Sequence, residues 1–177
     1  TLMDIATDLD IKTESPICGA LVNNKVRELS FDIVKPKNIR FIDYSHPDGQ
    51  RMYIRSVFFL MYAAVRDLYP EVKLKIDHAI SRGYYCEIEG MDHDNCESCV
   101  FEIKTRMKEM VEQNIPFIRK GKQLSRVLEE YMENRLDDKL RLYADSGWLY
   151  AYVYYLGDAV NYFHGHLLPS TGYLQNF

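Results

Sequence analysis

The chain has 177 residues, of which 47% are hydrophobic, enough for the core of one medium domain or of two small ones. Its formal net charge of −4 argues against a protein whose main task is to neutralise phosphates, because that task depends on clustered Lys and Arg. No run approaches the roughly 18 apolar residues of a membrane helix. Four irregularly spaced cysteines do not make a disulfide scaffold. We therefore expect a soluble, cytoplasmic protein with no membrane partner.

The first 47 residues carry signals for one helix followed by short strands. Thr1 and Asp4 are a predicted capping pair for the helix. Strand-like runs follow at 17–22, 25–28 and 38–43, and the asparagines at positions 23 and 24 predict a hairpin turn between the first two runs. The order of these elements and the wording LMDIA…CGALVNNKV resemble the TGS domain, the ubiquitin-like module at the start of threonyl-tRNA synthetases. The resemblance implies a β-grasp module over residues 1–47 with its first hairpin missing.

A second module is predicted over residues 51–177. Residues 45–49 have the turn chemistry that is typical of a domain boundary. Apolar residues then recur at three- and four-residue spacing, which predicts an amphipathic helix ending before Pro70. The remaining pattern favours strands at 73–76 and 84–89 and from 148 onward, with helices at 99–113, 124–134 and 137–143 between them. Because the chain opens with Thr rather than Met, we expect it to be part of a longer protein.

The most informative motif lies near the C-terminal end. The segment GDAVNYFHGHLLPSTG, residues 157–172, resembles without a gap a segment of threonyl-tRNA synthetases that is roughly GDFVDLCRGPHVPSTG. The predicted long helix resembles the HxxxHA helix of that family, including its Leu-Tyr-Pro ending, and EIKTRMKEMVEQNIPFIRK resembles KRMKELAEKDYPIIR. Residues 51–177 are thus similar to the second additional domain of threonyl- and alanyl-tRNA synthetases. The implied fold class is α+β, a β-grasp TGS module followed by an editing-domain-like module.

The same resemblance places the editing residues of the family on side chains that lack their chemistry. In the family, two helix histidines with a Cys and a His of the late motif can hold zinc or organise a hydrolytic water. The matching positions here are Phe59, Ala63, Phe163 and Leu167, and Asn161 replaces the acidic residue before the Cys. Because apolar side chains neither ligate metals nor move protons, we expect a degenerate editing site without catalytic residues.

Polar residues near this motif are the remaining candidates for ligand contact. His164 and His166 would share a face on a strand, but no carboxylate or Cys lies near them in sequence, which favours loop or surface histidines over a displaced metal pair. Arg119, Lys120 and Lys122 form the best basic cluster, and they fit a solvated loop between helices as well as a nucleotide or RNA contact. The aromatic residues of 148–163 are expected to be core first and RNA contacts second.

A zinc site is the other open alternative. Cys86, His93, Cys96 and Cys99 lie within one hairpin-to-helix loop and could close a tetrahedral site. A single C-x-x-C pair is a weak signal, so ordinary thiols are favoured and no metal is expected. The chain also contains neither of the glycine-rich phosphate-binding patterns, G-x-x-x-x-G-K-[ST] and G-x-G-x-x-G.

Bacterial uridine kinase-like proteins begin with a similar combination, a TGS module followed by an editing-like module that has lost its ligands, and this chain resembles that N-terminal region. The segments GHLLPSTGYLQNF, YIRS and SRGYYC carry the same resemblance. The resemblance implies a non-catalytic regulatory or binding region for a nucleotide or RNA. Its partner would be an ATP- and Mg²⁺-dependent kinase domain of the same chain beyond Phe177, with oligomerisation left open. One alternative is an aminoacyl-tRNA deacylase domain acting through His164, His166 or the Cys96/Cys99 loop. Another is an architectural module without a ligand.

Overall fold

The computed structural model describes residues 1–81, 83–91, 96–144 and 146–177, without the side chains of Cys96 and Ala144. Its strands form three small antiparallel sheets with helices beside them, which confirms the α+β class. No helix in these ranges is long and apolar enough to cross a bilayer. The described elements are α1 (Leu2–Asp8), β1 (Gly19–Val22), β2 (Lys25–Arg27), β3 (Ile39–Ile42), α2 (Pro47–Leu68), β4 (Lys73–Ile80), β5 (Gly83–Glu89), α3 (Cys96–Glu112), β6 (Ile118–Gln123), α4 (Leu124–Glu133), α5 (Asp137–Ala144), β7 (Tyr150–Leu156), β8 (Ala159–Asn161) and a 3₁₀ turn (Thr171–Tyr173).

The first sheet has the order β2-β1-β3 and packs against α1. Thr1 and Asp4 form the predicted capping box at the start of α1. Asn23 and Asn24 join β1 to β2 with φ angles of 48° and 63°, the left-handed conformation that a tight two-residue hairpin requires. The hairpin and helix predicted for this segment are therefore confirmed, whereas its assignment to the β-grasp fold stays a prediction.

The helix α2 begins earlier than the sequence pattern predicted. Pro47 occupies its first turn, and the ring nitrogen of His46 accepts a hydrogen bond from the Asp48 N–H at 3.1 Å. The predicted boundary turn is thus partly the first turn of α2. Gly49 allows this close approach, because a Cβ there would lie 2.0 Å from the carbonyl oxygen of Asp43. The helix ends at Leu68, before Pro70, as the sequence predicted.

One buried cluster connects most elements of the chain. It includes Leu21 and Ile42 of the first sheet and Cys18, which precedes β1. It continues through α2 and α3 to β7 and the late motif. The segments on either side of residue 47 therefore share one core. The long helix α2 lies at its centre and contributes eight buried residues to the fold, namely Gly49, Met52, Ser56, Phe59, Leu60, Ala63, Ala64 and Val65.

The third sheet, β6-β7-β8, supports the polar candidates. Helices α4 and α5 cover one of its faces, where Ala151 and Val153 are buried. The alternate residues Tyr150 and Tyr152 are on the other face and are 65% and 53% exposed, so the expectation that these aromatics belong to the core is wrong for them. The basic segment is strand β6 rather than a loop, because each of its residues pairs with β7.

Candidate functional site

The four degenerate editing positions lie together in the core. Phe59 and Ala63 are on α2, and Phe163 and Leu167 follow β8. Phe59, Ala63 and Leu167 are at most 4% exposed, and the ring centroids of Phe59 and Phe163 are 5.3 Å apart. Phe117 closes the opposite side at 5.9 Å from Phe59. Hydrocarbon side chains thus fill the place where the family resemblance put ligands. Within the described ranges, no three His, Cys, Asp or Glu side chains could together hold a metal ion.

The retained part of the late motif has a structural role that explains its preservation. Thr171 is fully buried, and its hydroxyl donates to the carbonyl of Met110 at 2.6 Å while it accepts the N–H of Ile115 at 2.8 Å. The side-chain oxygen of Asn114 accepts the N–H of Gly172, where a Cβ would lie only 2.3 Å from that oxygen. We call this set of contacts the α3 clamp. It fixes the end of α3 to the late motif.

His166 has a carboxylate partner that the sequence did not suggest. Its Nδ1 lies 3.3 Å from Oε1 of Glu28, outside hydrogen-bond geometry, and both side chains are 15% exposed. Glu28 also accepts hydrogen bonds from the hydroxyl of Tyr154 and from the N–H of Leu167. The sequence favoured loop or surface histidines because no carboxylate lies near them along the chain. His166 lies outside the strands, and the tertiary fold brings Glu28, the residue after β2, beside it. His164 is exposed and lies outside the strands.

The surroundings of Glu28 decide its charge. Burial alone would raise the pKa of Glu28, but the contacts with His166 and Tyr154 and the positive charge of Arg119 hold that pKa below its ordinary value. Burial and the neighbouring Glu28 charge raise the pKa of Tyr154. At neutral pH the site consequently holds a carboxylate that accepts a hydrogen bond from a neutral phenol.

Two arginines lie near Tyr154, the phenol that donates to this carboxylate. The guanidinium carbon of Arg119 is 3.6 Å from the ring centroid of Tyr152, and its buried Nε has no hydrogen-bond partner in the described part of the chain. The guanidinium of Arg55 lies against Gly165, where a Cβ would be 2.7 Å from its central carbon. Burial lowers the pKa of Arg55, and the electrostatic influence of Tyr154 partly opposes that shift. We call the set Glu28, Arg55, Arg119, Tyr154 and His166 the Glu28 cluster.

The predicted lysines lie elsewhere. Lys122 forms an ion pair with Glu130, whose other carboxylate oxygen accepts the hydroxyl of Tyr155 at 2.5 Å. Lys120 lies 5.3 Å from the Tyr155 ring centroid, on the face of β6 opposite Arg119. Of the five predicted ligand contacts, the structure therefore brings Arg119 and His166 close to Glu28. The other three, His164, Lys120 and Lys122, lie away from that carboxylate. Sequence reasoning missed Arg55 and Glu28, for which no local motif gives a signal.

The zinc prediction falls partly outside the described residues, since it includes His93 and the side chain of Cys96. Cys86 is on β5, and Cys99 is buried in α3. The set of four thus stays a prediction.

Comparison with known proteins gives one consistent group of relatives. No family model matches the chain. It is 27% identical over 176 residues to a threonine–tRNA ligase of Syntrophomonas wolfei, covering 99% of the chain and 28% of that protein. It is 27% identical to a threonine–tRNA ligase of Clostridium kluyveri, with 97% of the chain and 27% of that protein covered. It is 26% identical to the threonine–tRNA ligase of Thermotoga petrophila, with 100% of the chain and 27% of that protein covered. The chain thus resembles threonine–tRNA ligases over nearly its whole length and spans just over a quarter of theirs.

Proposed function

We propose that the chain is a threonyl-tRNA synthetase-like region, with a TGS-like module and an editing-like module, that binds a ligand without hydrolysing it. The observation that carries the proposal is that Phe59, Ala63 and Leu167 are buried in one apolar cluster and that the partly buried Phe163 packs against it. Ester hydrolysis requires a positioned water and a group that accepts its proton. None of these four side chains can accept a proton from water, so they contribute stability rather than catalysis.

The direct test is incubation of the purified chain with threonine tRNA that carries a wrong amino acid. We expect the ester to decay at the rate of buffer alone, because none of the four positions can activate water. The remaining aminoacyl-tRNA is measured over time after acid precipitation. A rate above the buffer rate that rises with protein concentration would contradict a purely binding role.

A second candidate is hydrolysis by a different route, and the Glu28–His166 contact favours it. A carboxylate beside an imidazole is the arrangement of a general base: His166 would take a proton from water, and Glu28 would stabilise the imidazolium. If the incubation shows hydrolysis, His166→Ala and Glu28→Gln should abolish it. His164→Ala is the matched control, because this neighbouring histidine is exposed and should leave the rate unchanged.

The parent protein is a separate part of the proposal. The relatives described above are threonine–tRNA ligases, which favour a synthetase-like parent and give no support to a uridine kinase parent. The gene sequence after Phe177 distinguishes them, since a kinase that uses ATP and Mg²⁺ requires a phosphate-binding loop that a class II synthetase core lacks.

A thermal-shift screen with nucleosides, nucleotides and RNA separates a binding module from an architectural one, because a specific ligand stabilises the folded state.

A further inference from the structure

We propose that Arg55 and Arg119 bind the phosphate of a nucleotide unit whose base lies on the open face of β7. This inference rests on the proposed binding function and names the ligand class and the residues that hold it. It follows from two guanidinium groups whose hydrogen-bonding capacity is unmet among the described residues, from the room that Gly165 leaves for one of them, and from exposed aromatic rings beside them.

Arg55 is the first part of the site. It is partly buried, and among the described residues it has neither a hydrogen bond nor an ion pair. Charged groups that lose water are ordinarily paired, because an unpaired charge costs free energy to bury. Gly165 has a φ of 126° and carries no side chain, which leaves room for the guanidinium. The fold thus places a cation in a partly dry position and leaves its donors available.

Arg119 is the second part. Its guanidinium is held over the Tyr152 ring, and the residues that the structure describes provide no acceptor for its buried Nε. The guanidinium carbon of Arg119 is 6.0 Å from the ring centroid of Tyr154, whose hydroxyl donates to the carbonyl of Gly165. Because the guanidinium of Arg55 lies against Gly165, the two charges lie in one region. The carboxylate of Glu28 provides one negative charge against these two positive ones. The region therefore has a surplus of positive charge and forked donors, which suit a phosphate.

The neighbouring face of the sheet selects a nucleotide rather than an inorganic anion. Tyr150 and Tyr152 alternate along β7 and expose their rings on the face that carries Arg119. Gly121 pairs with Tyr152, and its missing side chain leaves room for the Tyr152 ring, because a Cβ there would lie 3.2 Å from a ring carbon. Aromatic rings and guanidinium planes are the surfaces on which bases stack. A free nucleotide and the end of an RNA strand share this chemistry.

The experiment is calorimetric titration of the full chain with uridine monophosphate, uridine, inorganic phosphate and a short oligouridylate. We expect the monophosphate to bind more tightly than uridine. Arg55→Gln or Arg119→Gln should weaken its binding about tenfold or more, because each change removes a charge-assisted contact. Tyr152→Ala should weaken binding of the nucleotide and leave the affinity for inorganic phosphate nearly unchanged. Arg126→Gln is the matched control, since Arg126 is 73% exposed on α4 and pairs with Glu129.

Circular dichroism melts of each variant separate lost binding from lost folding, and Arg55→Lys retains the charge if Arg55→Gln does not fold. Unchanged nucleotide affinity in both arginine variants would overturn this site while leaving the binding function intact. Absence of binding to all four probes would overturn the site together with the binding function. Tighter binding of the oligouridylate than of the monophosphate would support the site and assign its ligand to RNA, and equal binding would support it with a free nucleotide.

Discussion

At the scale of single residues, the late motif divides into positions with two kinds of constraint. Phe163 and Leu167 stand where the family resemblance implies ligands, and apolar packing holds their side chains here. Thr171 and Gly172 instead satisfy backbone groups at the end of α3. A buried backbone group without a partner costs free energy whatever the function of the protein. Thr171 and Gly172 are therefore constrained by architecture, independently of any chemistry at Phe163 and Leu167.

The α3 clamp gives a prediction for Thr171→Val. The change preserves shape but leaves the N–H of Ile115 and the carbonyl of Met110 without their partner, so we expect a loss of about 1–3 kcal/mol of unfolding free energy. Urea unfolding followed by circular dichroism measures it. Thr105→Val is the matched control, because the exposed hydroxyl of Thr105 also donates to a backbone carbonyl, at 2.8 Å. Equal losses in the two variants would contradict a special role for Thr171.

At the scale of elements, local signals were sufficient for some predictions and not for others. The capping box of α1, the Asn23–Asn24 turn and the end of α2 before Pro70 depend on neighbouring residues, and the sequence predicted them correctly. Strand β6 was missed because its Arg-Lys-Gly-Lys core has little intrinsic strand propensity and is extended by its pairing with β7. The apolar character of the four positions that the family resemblance matches to editing ligands followed from their residue identities. The Glu28–His166 contact did not, because only the tertiary fold brings β2 to the late motif.

This contact gives a pH-dependent prediction for Glu28→Gln. The pKa of Glu28 is lower in the folded chain than its ordinary value of 4.5, so its ionised form stabilises the fold above that value. The contribution is lost as the pH falls through the folded-state pKa. We expect Glu28→Gln to cost about 1–3 kcal/mol at pH 7 and progressively less below pH 4.5.

Urea unfolding of both proteins across this pH range measures the difference. Glu14→Gln changes an exposed carboxylate and should have little effect at any pH. A difference between wild type and Glu28→Gln that does not depend on pH would show that the ionisation of Glu28 has no part in stability.

At the scale of the whole molecule, tyrosine is the residue that joins the parts. The 177 residues include 14 tyrosines, many of them at the contacts between elements. Tyr154 connects β7 to Glu28 after β2, and Tyr44 donates to the carbonyl of Tyr173 at 2.9 Å. Tyr131 and Tyr143 pack together in the cluster beneath α4 and α5. Phenols give this core large apolar surfaces together with donors, and they must stay neutral to do so.

Alkaline pH should therefore destabilise the chain. In the folded state, burial is the largest cause that raises the pKa of seven tyrosines above 10.0, so the neutral phenol stabilises the fold below pH 10. This stability is lost as the pH rises from 10 through the folded-state values. Burial also raises the pKa of Cys18 from 9.0 to about 12, which adds a loss from pH 9 upward. The seven are Tyr44, Tyr62, Tyr131, Tyr143, Tyr154, Tyr155 and Tyr173.

Urea unfolding at pH 8 and at pH 10.5 measures the effect, and tyrosinate absorbance at each pH reports the ionisation. We expect a lower unfolding free energy at the higher pH, with an increase in absorbance when urea unfolds the chain there. Equal unfolding free energies at the two values would mean that the buried phenols ionise as readily in the folded state as in the unfolded one.

Next to the α3 clamp, the chain enters and leaves its C-terminal sheet at neighbouring points. Pro116 bridges to Ser170, and the N–H of Phe117 donates to the carbonyl of Pro169 at 3.0 Å. The path between these points contains β6, α4, α5, β7 and β8, together with their own buried cluster. Its two ends are side by side, which is the geometry of an inserted unit. Evolution could thus lengthen, shorten or exchange this segment while the helices α2 and α3 and the first sheet keep their arrangement.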